Sequence, residues 1–164
     1  MPFTLREPAL PDAPLIAELH VATWREAYSL LLPEDFFTEE HIQGRHQMWH
    51  HVLGNPREEW TIRIAESGGR IIGFAFAGPS FNPDGQEVPR DRQVFSLYVA
   101  AAHHGTGAGQ ALLDATAGSA PAMLWVAKDN PRAVAFYLRN GFEFDGAEQT
   151  DPGAPDIVDA RMVR

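Results

Sequence analysis

The stretch SLYVAAAHHGTGAGQALL, residues 96–113, decides the fold. Its pattern indicates a strand over Val94 to Val99, a glycine-rich turn, and an apolar helix from Thr106 to about Gly118. Glycine lets a backbone approach a phosphate closely, and a helix N-terminus presents unpaired N–H groups and the positive end of its dipole. The turn therefore predicts a phosphate-binding site.

Two familiar phosphate motifs do not fit this turn. A P-loop needs a lysine followed by Ser or Thr, and Gly109 is followed by Gln110 and Ala111 instead. A dinucleotide fingerprint, G-x-G-x-x-G, would need glycine at Gln110 or at Leu112. Both motifs are excluded.

A second informative stretch lies downstream, at NPRAVAFYLRNGF, residues 130–142. Asn130 is a good N-cap, Pro131 suits the first helical position, and Gly141 suits a left-handed C-terminal cap. The pattern predicts a helix from Pro131 to Asn140, with Phe142 to Phe144 beginning a strand.

Together the two stretches resemble the motifs of the GNAT acetyltransferases. Residues 104–109 follow the family's pyrophosphate motif, Q/R-x-x-G-x-G/A, with His104 where Gln or Arg is usual. Residues 130–142 match N-x-x-A-x-x-F-Y-x-x-x-G-F. Ile16 to Tyr28, followed by Leu31-Leu32-Pro33, is similar to the opening of many bacterial members. The match is strongest over residues 94–144.

The resemblance implies acetyl-CoA as cosubstrate and assigns residues to it. The pyrophosphate would lie on the turn formed by His104, Gly105, Thr106, Gly107, Ala108, Gly109 and Gln110. The main chain of Leu97, Tyr98 and Val99 would pair with the pantetheine arm. Asn130 would contact pantetheine, and Arg132 would reach a phosphate. Val99 N–H is the implied oxyanion donor, Tyr137 the implied general acid, and Trp24 and Tyr28 the acceptor-side candidates.

The flanking sequence indicates a mixed α/β fold. Two helices are expected first, from an Asp12 cap to about Leu31 and from Pro33 to Leu53, with Gly44 as a candidate break. A hairpin follows, with strands at 61–66 and 71–77, then a loop at 78–92. Further strands are expected at 3–6, 123–126 and 157–163, the last after a Pro/Gly-rich loop at 152–155. With the resemblance, we expect one domain over residues 1–164. Its core would be a mostly antiparallel twisted sheet of about six to seven strands, flanked by about four helices.

Composition narrows the classes of function. The formal net charge of -9 argues against nucleic-acid binding and would suit a cationic substrate. There are no cysteines, so disulfides, thiolate metal sites and a cysteine nucleophile are excluded. We find no apolar run long enough to span a membrane and no secretory signal, so a cytoplasmic protein is expected.

Several assignments stay open at this stage. A protonated amine needs a base, and Glu26, Glu66, Glu87, Asp91 and His20 are all candidates. His46 and His50 have a metal-compatible spacing but no third ligand, so no metal is predicted. The expected reaction is acetyl transfer to a small-molecule amine. A protein N-terminus or lysine as acceptor, a non-catalytic acyl-CoA sensor, a longer acyl donor and a homodimer all remain open.

Overall fold

The computed structural model describes residues 2–164 as one seven-stranded sheet with helices on both faces. The strand order is β1-β2-β3-β4-β5-β7-β6, and the β4–β5 pair alone is parallel among the described strands. In chain order the elements are β1 (Thr4–Arg6), α1 (Ala13–Tyr28), α2 (Glu39–Gly54), β2 (Thr61–Ser67), β3 (Arg70–Pro79), β4 (Arg92–Val99), α3 (Ala108–Thr116), β5 (Met123–Ala127), α4 (Pro131–Arg139), β6 (Glu143–Asp151) and β7 (Ala154–Val163). The expected mixed, mostly antiparallel sheet with four α-helices is confirmed.

The strands position the helices through alternation of their side chains. On β3, Phe74 and Phe76 pack against Ile16 of α1 and Trp49 of α2. Ala75 faces the opposite side and packs with Leu112 of α3. The sheet therefore has α1 and α2 on one face and α3 on the other.

The first two helices begin or end elsewhere than predicted. Helix α1 ends at Tyr28, not Leu31, and Asp12 does not cap it with its side chain. The Asp12 carboxylate instead accepts bonds of 2.8 Å from Arg6 and from the Ala9 amide. Helix α2 begins at Glu39, not Pro33, because Thr38 Oγ1 accepts from His41 N at 3.1 Å and caps it. Gly44 lies within α2 and does not break it.

The other boundaries shift by a few residues. β3 and β4 extend into the loop predicted at 78–92 and shorten it to residues 80–91. Helix α3 begins at Ala108 and not at Thr106, and β7 begins at Ala154 and not at Ile157. Helix α4 follows its prediction closely: Asn130 Oδ1 accepts from Ala133 N at 3.2 Å, and Gly141 has a φ of 84°. None of the helices in residues 2–164 is long and apolar enough to cross a bilayer.

Candidate active site

The site is an opening in the sheet between β4 and β5. These strands pair only at Gln93–Met123 and Val94–Leu124, and beyond this point they diverge as β4 continues to Val99 and β5 to Ala127. A cavity of about 1270 Å³ fills the opening and reaches both faces of the sheet. The divergence leaves one edge of β4 without a strand partner.

The free edge of β4 presents main-chain groups to the cavity. Ala100 N donates to Ile72 O at 2.8 Å, so the amides of even-numbered residues here face β3. The amides of Leu97 and Val99 consequently face the opening. Val99 O accepts a hydrogen bond of 2.9 Å from Nε2 of His104, the residue at the motif position where Gln or Arg is usual. An extended molecule lying along Leu97–Val99 would find strand-type hydrogen-bonding groups there.

The turn between β4 and α3 carries a row of unbonded amides. Among the described residues, the N–H groups of Gly105, Thr106, Gly107, Gly109 and Gln110 donate to no protein acceptor. Gly105 and Gly107 have φ values of 78° and 90°, a backbone conformation that residues other than glycine rarely adopt. A concave row of free N–H groups at a helix N-terminus binds anions.

The start of α4 faces the same cavity. Asn130 both caps the helix and donates from Nδ2 to the Tyr28 hydroxyl at 3.2 Å. Arg132 lines the cavity and makes no ion pair with any described residue. Its guanidinium is available to an anionic ligand.

Tyr137 lies on α4 at the centre of the site. It is 8% exposed, and it packs with Val126, Phe142 and Met162 while its ring also lines the cavity. Its hydroxyl makes no hydrogen bond to any described residue. Burial and the nearby Tyr28 raise the pKa of Tyr137 above its ordinary value, which keeps the phenol protonated at neutral pH. The phenol is therefore a proton donor at the cavity that has no acceptor in residues 2–164.

Aromatic side chains form the opposite wall. Trp24 and Tyr28 line the cavity, and their rings are 4.9 Å apart in an edge-to-face pair. Trp24 Nε1 donates to the Tyr98 hydroxyl at 3.1 Å, and burial raises the pKa of Tyr98. Phe36 stacks on Trp24 at 6.2 Å, so the segment between α1 and α2 covers this side.

Two of the five candidate bases from the sequence line the cavity. Glu66 is paired with Arg6 at 2.7 Å, and neither it nor Glu87 nor Asp91 lines the cavity. Glu26 lines it but accepts from Ala101 N at 3.1 Å. His20 lines it too, with Nδ1 accepting from Trp49 Nε1 at 3.1 Å, and its pKa is well below the ordinary value because it is buried. The proton of neutral His20 is thereby fixed on Nε2.

The remaining predicted residues mostly share the cavity. Thr106 is the exception, since its Oγ1 turns back to His103 O at 2.7 Å. The predicted residues that line the cavity are Trp24, Tyr28, Leu97, Tyr98, Val99, His104, Gly105, Gly107, Ala108, Gly109, Gln110, Asn130, Arg132 and Tyr137. No group of three or more metal-binding side chains occurs in the part of the chain that the structure describes.

Four charged residues that line the cavity were not predicted as site residues. They are Arg45 of α2, Arg139 of α4, Asp151 of β6 and Asp159 of β7. Asp159 lies two residues after Ile157 in an alternating strand, a signal that places both side chains on one face. Their proximity to the cavity depends on how α1 and α2 pack on the sheet, which the sequence does not reveal.

Comparison with known proteins identifies the family. A family model described as the acetyltransferase (GNAT) family matches residues 20–142 of this chain. The chain belongs to the GNAT acetyltransferase family. It is therefore an acyltransferase that takes acetyl-CoA as cosubstrate.

Two relatives agree with this assignment, and a solved structure shares the fold. The "Probable N-acetyltransferase" of Mycobacterium tuberculosis is 32% identical over 141 residues, covering 82% of this chain and 76% of the relative. The uncharacterized N-acetyltransferase YuaI of Bacillus subtilis is 28% identical and covers 94% of each chain. The PaiA N-acetyltransferase of Thermoplasma acidophilum, solved in complex with coenzyme A, has the same fold. Its TM-score is 0.73 at 16% identity, over 100% of this chain and 99% of that one.

Proposed function

We propose that this GNAT protein acetylates a primary amine of a small molecule and that Tyr137 is its general acid. The observation that carries the proposal is the Tyr137 hydroxyl, which has no hydrogen-bond partner among the described residues and belongs to a residue that is 8% exposed and lines the cavity. Acetyl-CoA supplies an electrophilic thioester carbonyl, and its sulfur departs as a thiolate. The acceptor supplies the attacking nitrogen. The protein must bind the diphosphate of CoA, stabilise the oxyanion and protonate the leaving sulfur.

The chain holds two groups suited to the diphosphate of CoA. The free amides of the turn at residues 105–110 offer several donors to one anion, and the α3 dipole adds a partial positive charge. Arg132, unpaired among the described residues, provides a full positive charge nearby. A pantetheine arm would then follow the free edge of β4 toward Tyr137.

Val99 is suited to stabilise the oxyanion that forms when an amine attacks the thioester. Its amide faces the opening at the last residue of β4, where the strand has no partner. A preorganised N–H pointing at developing negative charge is worth about 3 kcal/mol in comparable sites. The amide is held in place by the neighbouring Ala100–Ile72 bond.

Tyr137 would protonate the leaving sulfur. An ordinary phenol has a pKa of about 10, so Tyr137 carries a proton at neutral pH that it can donate to the developing thiolate, whose thiol has an ordinary pKa of about 8.5. Burial raises the pKa of Tyr137 and disfavours its anion, so the tyrosinate must regain a proton, which the attacking nitrogen releases as the amide forms.

The acceptor side favours a small molecule. Trp24, Tyr28 and Phe36 form an aromatic wall, and the segment between α1 and α2 packs over it. Such a wall encloses a compact amine better than it admits the backbone of a folded protein. The net charge of -9 attracts a cationic acceptor over a range of about 10 Å at ordinary salt.

The proposal is tested by thiol release from acetyl-CoA, with polyamines, amino acids, aminoglycosides and peptides as acceptors. We expect turnover with at least one small amine and none above background with peptides. Turnover with peptides alone would show a protein acetyltransferase. Stabilisation by CoA in a thermal-shift assay without thiol release from any acceptor would contradict the proposal and favour a sensor.

A further inference from the structure

Two carboxyl groups face the cavity from the β6–β7 hairpin. Asp151 ends β6 and Asp159 lies in β7, and both side chains line the cavity. Asp159 is 8% exposed, and its side chain lies within hydrogen-bonding reach of the Asp151 carboxyl. Asp151 accepts from Gly153 N at 2.9 Å through Oδ1. Two carboxyls this close are costly to ionise together, so this site calls for a bound cation or a shared proton.

Asp159 and Tyr137 reach the cavity from opposite faces of the sheet. Ile157 packs with Trp24 and Tyr28 of α1, and Asp159, two residues later in a regular strand, shares that face. Met162 lies on the other face, where it packs with Tyr137. A molecule held at Asp159 would therefore approach the opening from the side opposite α4.

Few positive charges lie near the two carboxyls to stabilise their ionised forms. Tyr28 lies beside them on α1, Arg45 of α2 acts on Asp151, and β5 contributes the uncharged Ala127 opposite Asp159. Lys128 is engaged with Glu148 at 2.9 Å. Burial and the neighbouring Asp151 raise the pKa of Asp159 to about 7, so the two carboxyls share a proton near neutral pH.

We propose that Asp159, with Asp151, binds the ammonium group of the acceptor and that Asp159 takes its proton. An ammonium group has three N–H donors and no acceptor, which complements a carboxylate whose oxygens can only accept. The inference rests on the proposed acetyl transfer and extends it by naming the chemical class of acceptor, a protonated alkyl amine. It also names a base beyond Glu26 and His20, the two sequence candidates that line the cavity.

The step balances as follows. One N–H bond of the ammonium breaks, and its proton goes to Asp159 and then to solvent. The freed nitrogen lone pair forms the C–N bond, the C–S bond breaks, and the sulfur takes the proton of Tyr137. The second nitrogen proton, released as the amide forms, restores the tyrosine. The net products are an amide, a thiol and one proton.

The test measures amine binding separately from turnover. Alkylamines and diamines would be titrated calorimetrically into the CoA-loaded protein, as wild type, Asp159→Asn, Asp151→Asn and Asp156→Asn. Asp156 lies in the same strand but is exposed and unbonded, so it is the matched control. We expect Asp159→Asn to weaken binding by roughly tenfold or more, since a hydrogen bond to a charged group is lost, with a smaller loss for Asp151→Asn. Asp156→Asn should bind like the wild type.

Turnover adds a second readout. Asp159→Asn should lose the rise of kcat/KM with pH near 7 for an alkylamine and keep most of its rate with an arylamine, which is already neutral. Absence of amine binding by the wild type, or binding by Asp159→Asn within twofold of it, would overturn the inference. A wild type that binds amines without thiol release would instead overturn the proposed transferase and its proton step, while the binding comparison would still decide the ammonium site.

Discussion

Asn130, the N-cap of α4, donates a hydrogen bond of 3.2 Å from Nδ2 to the hydroxyl of Tyr28 on α1. The bond joins α4, whose first residues line the cavity, to α1, which carries Trp24 and Tyr28 of the aromatic wall. Because Tyr28 is 5% exposed, few waters can replace the bond when it is broken. The two sides of the active site are thereby held together.

Tyr28→Phe should lower stability by about 1 kcal/mol, the usual net worth of such a bond. For a chain of this size, that lowers Tm by roughly 2–4 °C. Asn130→Ala should cost more, because it removes the helix cap as well. In a double-mutant cycle, the pair should lose less than the sum of the single variants. Strict additivity would show that the bond contributes nothing.

Gly107→Ala should weaken CoA binding and cost about 1–2 kcal/mol of stability, because its φ of 90° is strained for alanine. Gly44→Ala is the matched control. Neither site has an atom within 4 Å of an added Cβ, but Gly44 is helical, so alanine there should add about 0.8–1 kcal/mol. The thermal shift produced by CoA should shrink for Gly107→Ala and persist for Gly44→Ala. Equal shifts in both variants would argue against the turn as a phosphate site.

Asp159→Asn should raise stability at pH 8. In the folded protein Asp159 keeps its proton up to about pH 7, whereas in the unfolded chain it loses it near pH 4. Between these values the folded state binds more protons, so its stability falls as pH rises. Asparagine cannot ionise and can donate to Asp151, so we expect a gain of roughly 1–4 kcal/mol at pH 8. The gain should shrink toward pH 5. A gain that is the same at both pH values, or a loss at pH 8, would show that the carboxyl is not protonated in this way.

Local signals explain which parts of the fold the sequence predicts. Helix α4 follows its prediction because its cap, its first-turn proline and its terminal glycine are all adjacent in sequence. The predicted start of α2 at Pro33 is wrong because Thr38, with Glu39 and Glu40 in the first turn, forms the actual helix start. The prediction that α1 runs to about Leu31 is wrong because the helix ends at Tyr28, and Leu30 beyond it is 99% exposed and contributes nothing to the core.

The residues of the site also divide into those that local motifs predict and those that only the fold brings to the cavity. The glycine-rich turn and Tyr137 belong to contiguous motifs, so the sequence indicates them. Asp159 becomes buried only because β7 inserts between β5 and β6 and α1 packs beside it. Both contacts join residues far apart in the chain, and no local pattern distinguishes Asp159 from the exposed Asp156.

Tyr137→Phe is the most direct test of the proposed mechanism. The hydroxyl has no protein partner among the described residues, so its removal should leave Tm within about 2 °C and leave the CoA-induced thermal shift unchanged. With an acceptor that the wild type uses, kcat measured by thiol release should fall by about 100-fold or more, the usual contribution of a positioned acid. A folded, CoA-binding Tyr137→Phe protein with wild-type kcat would contradict the assignment.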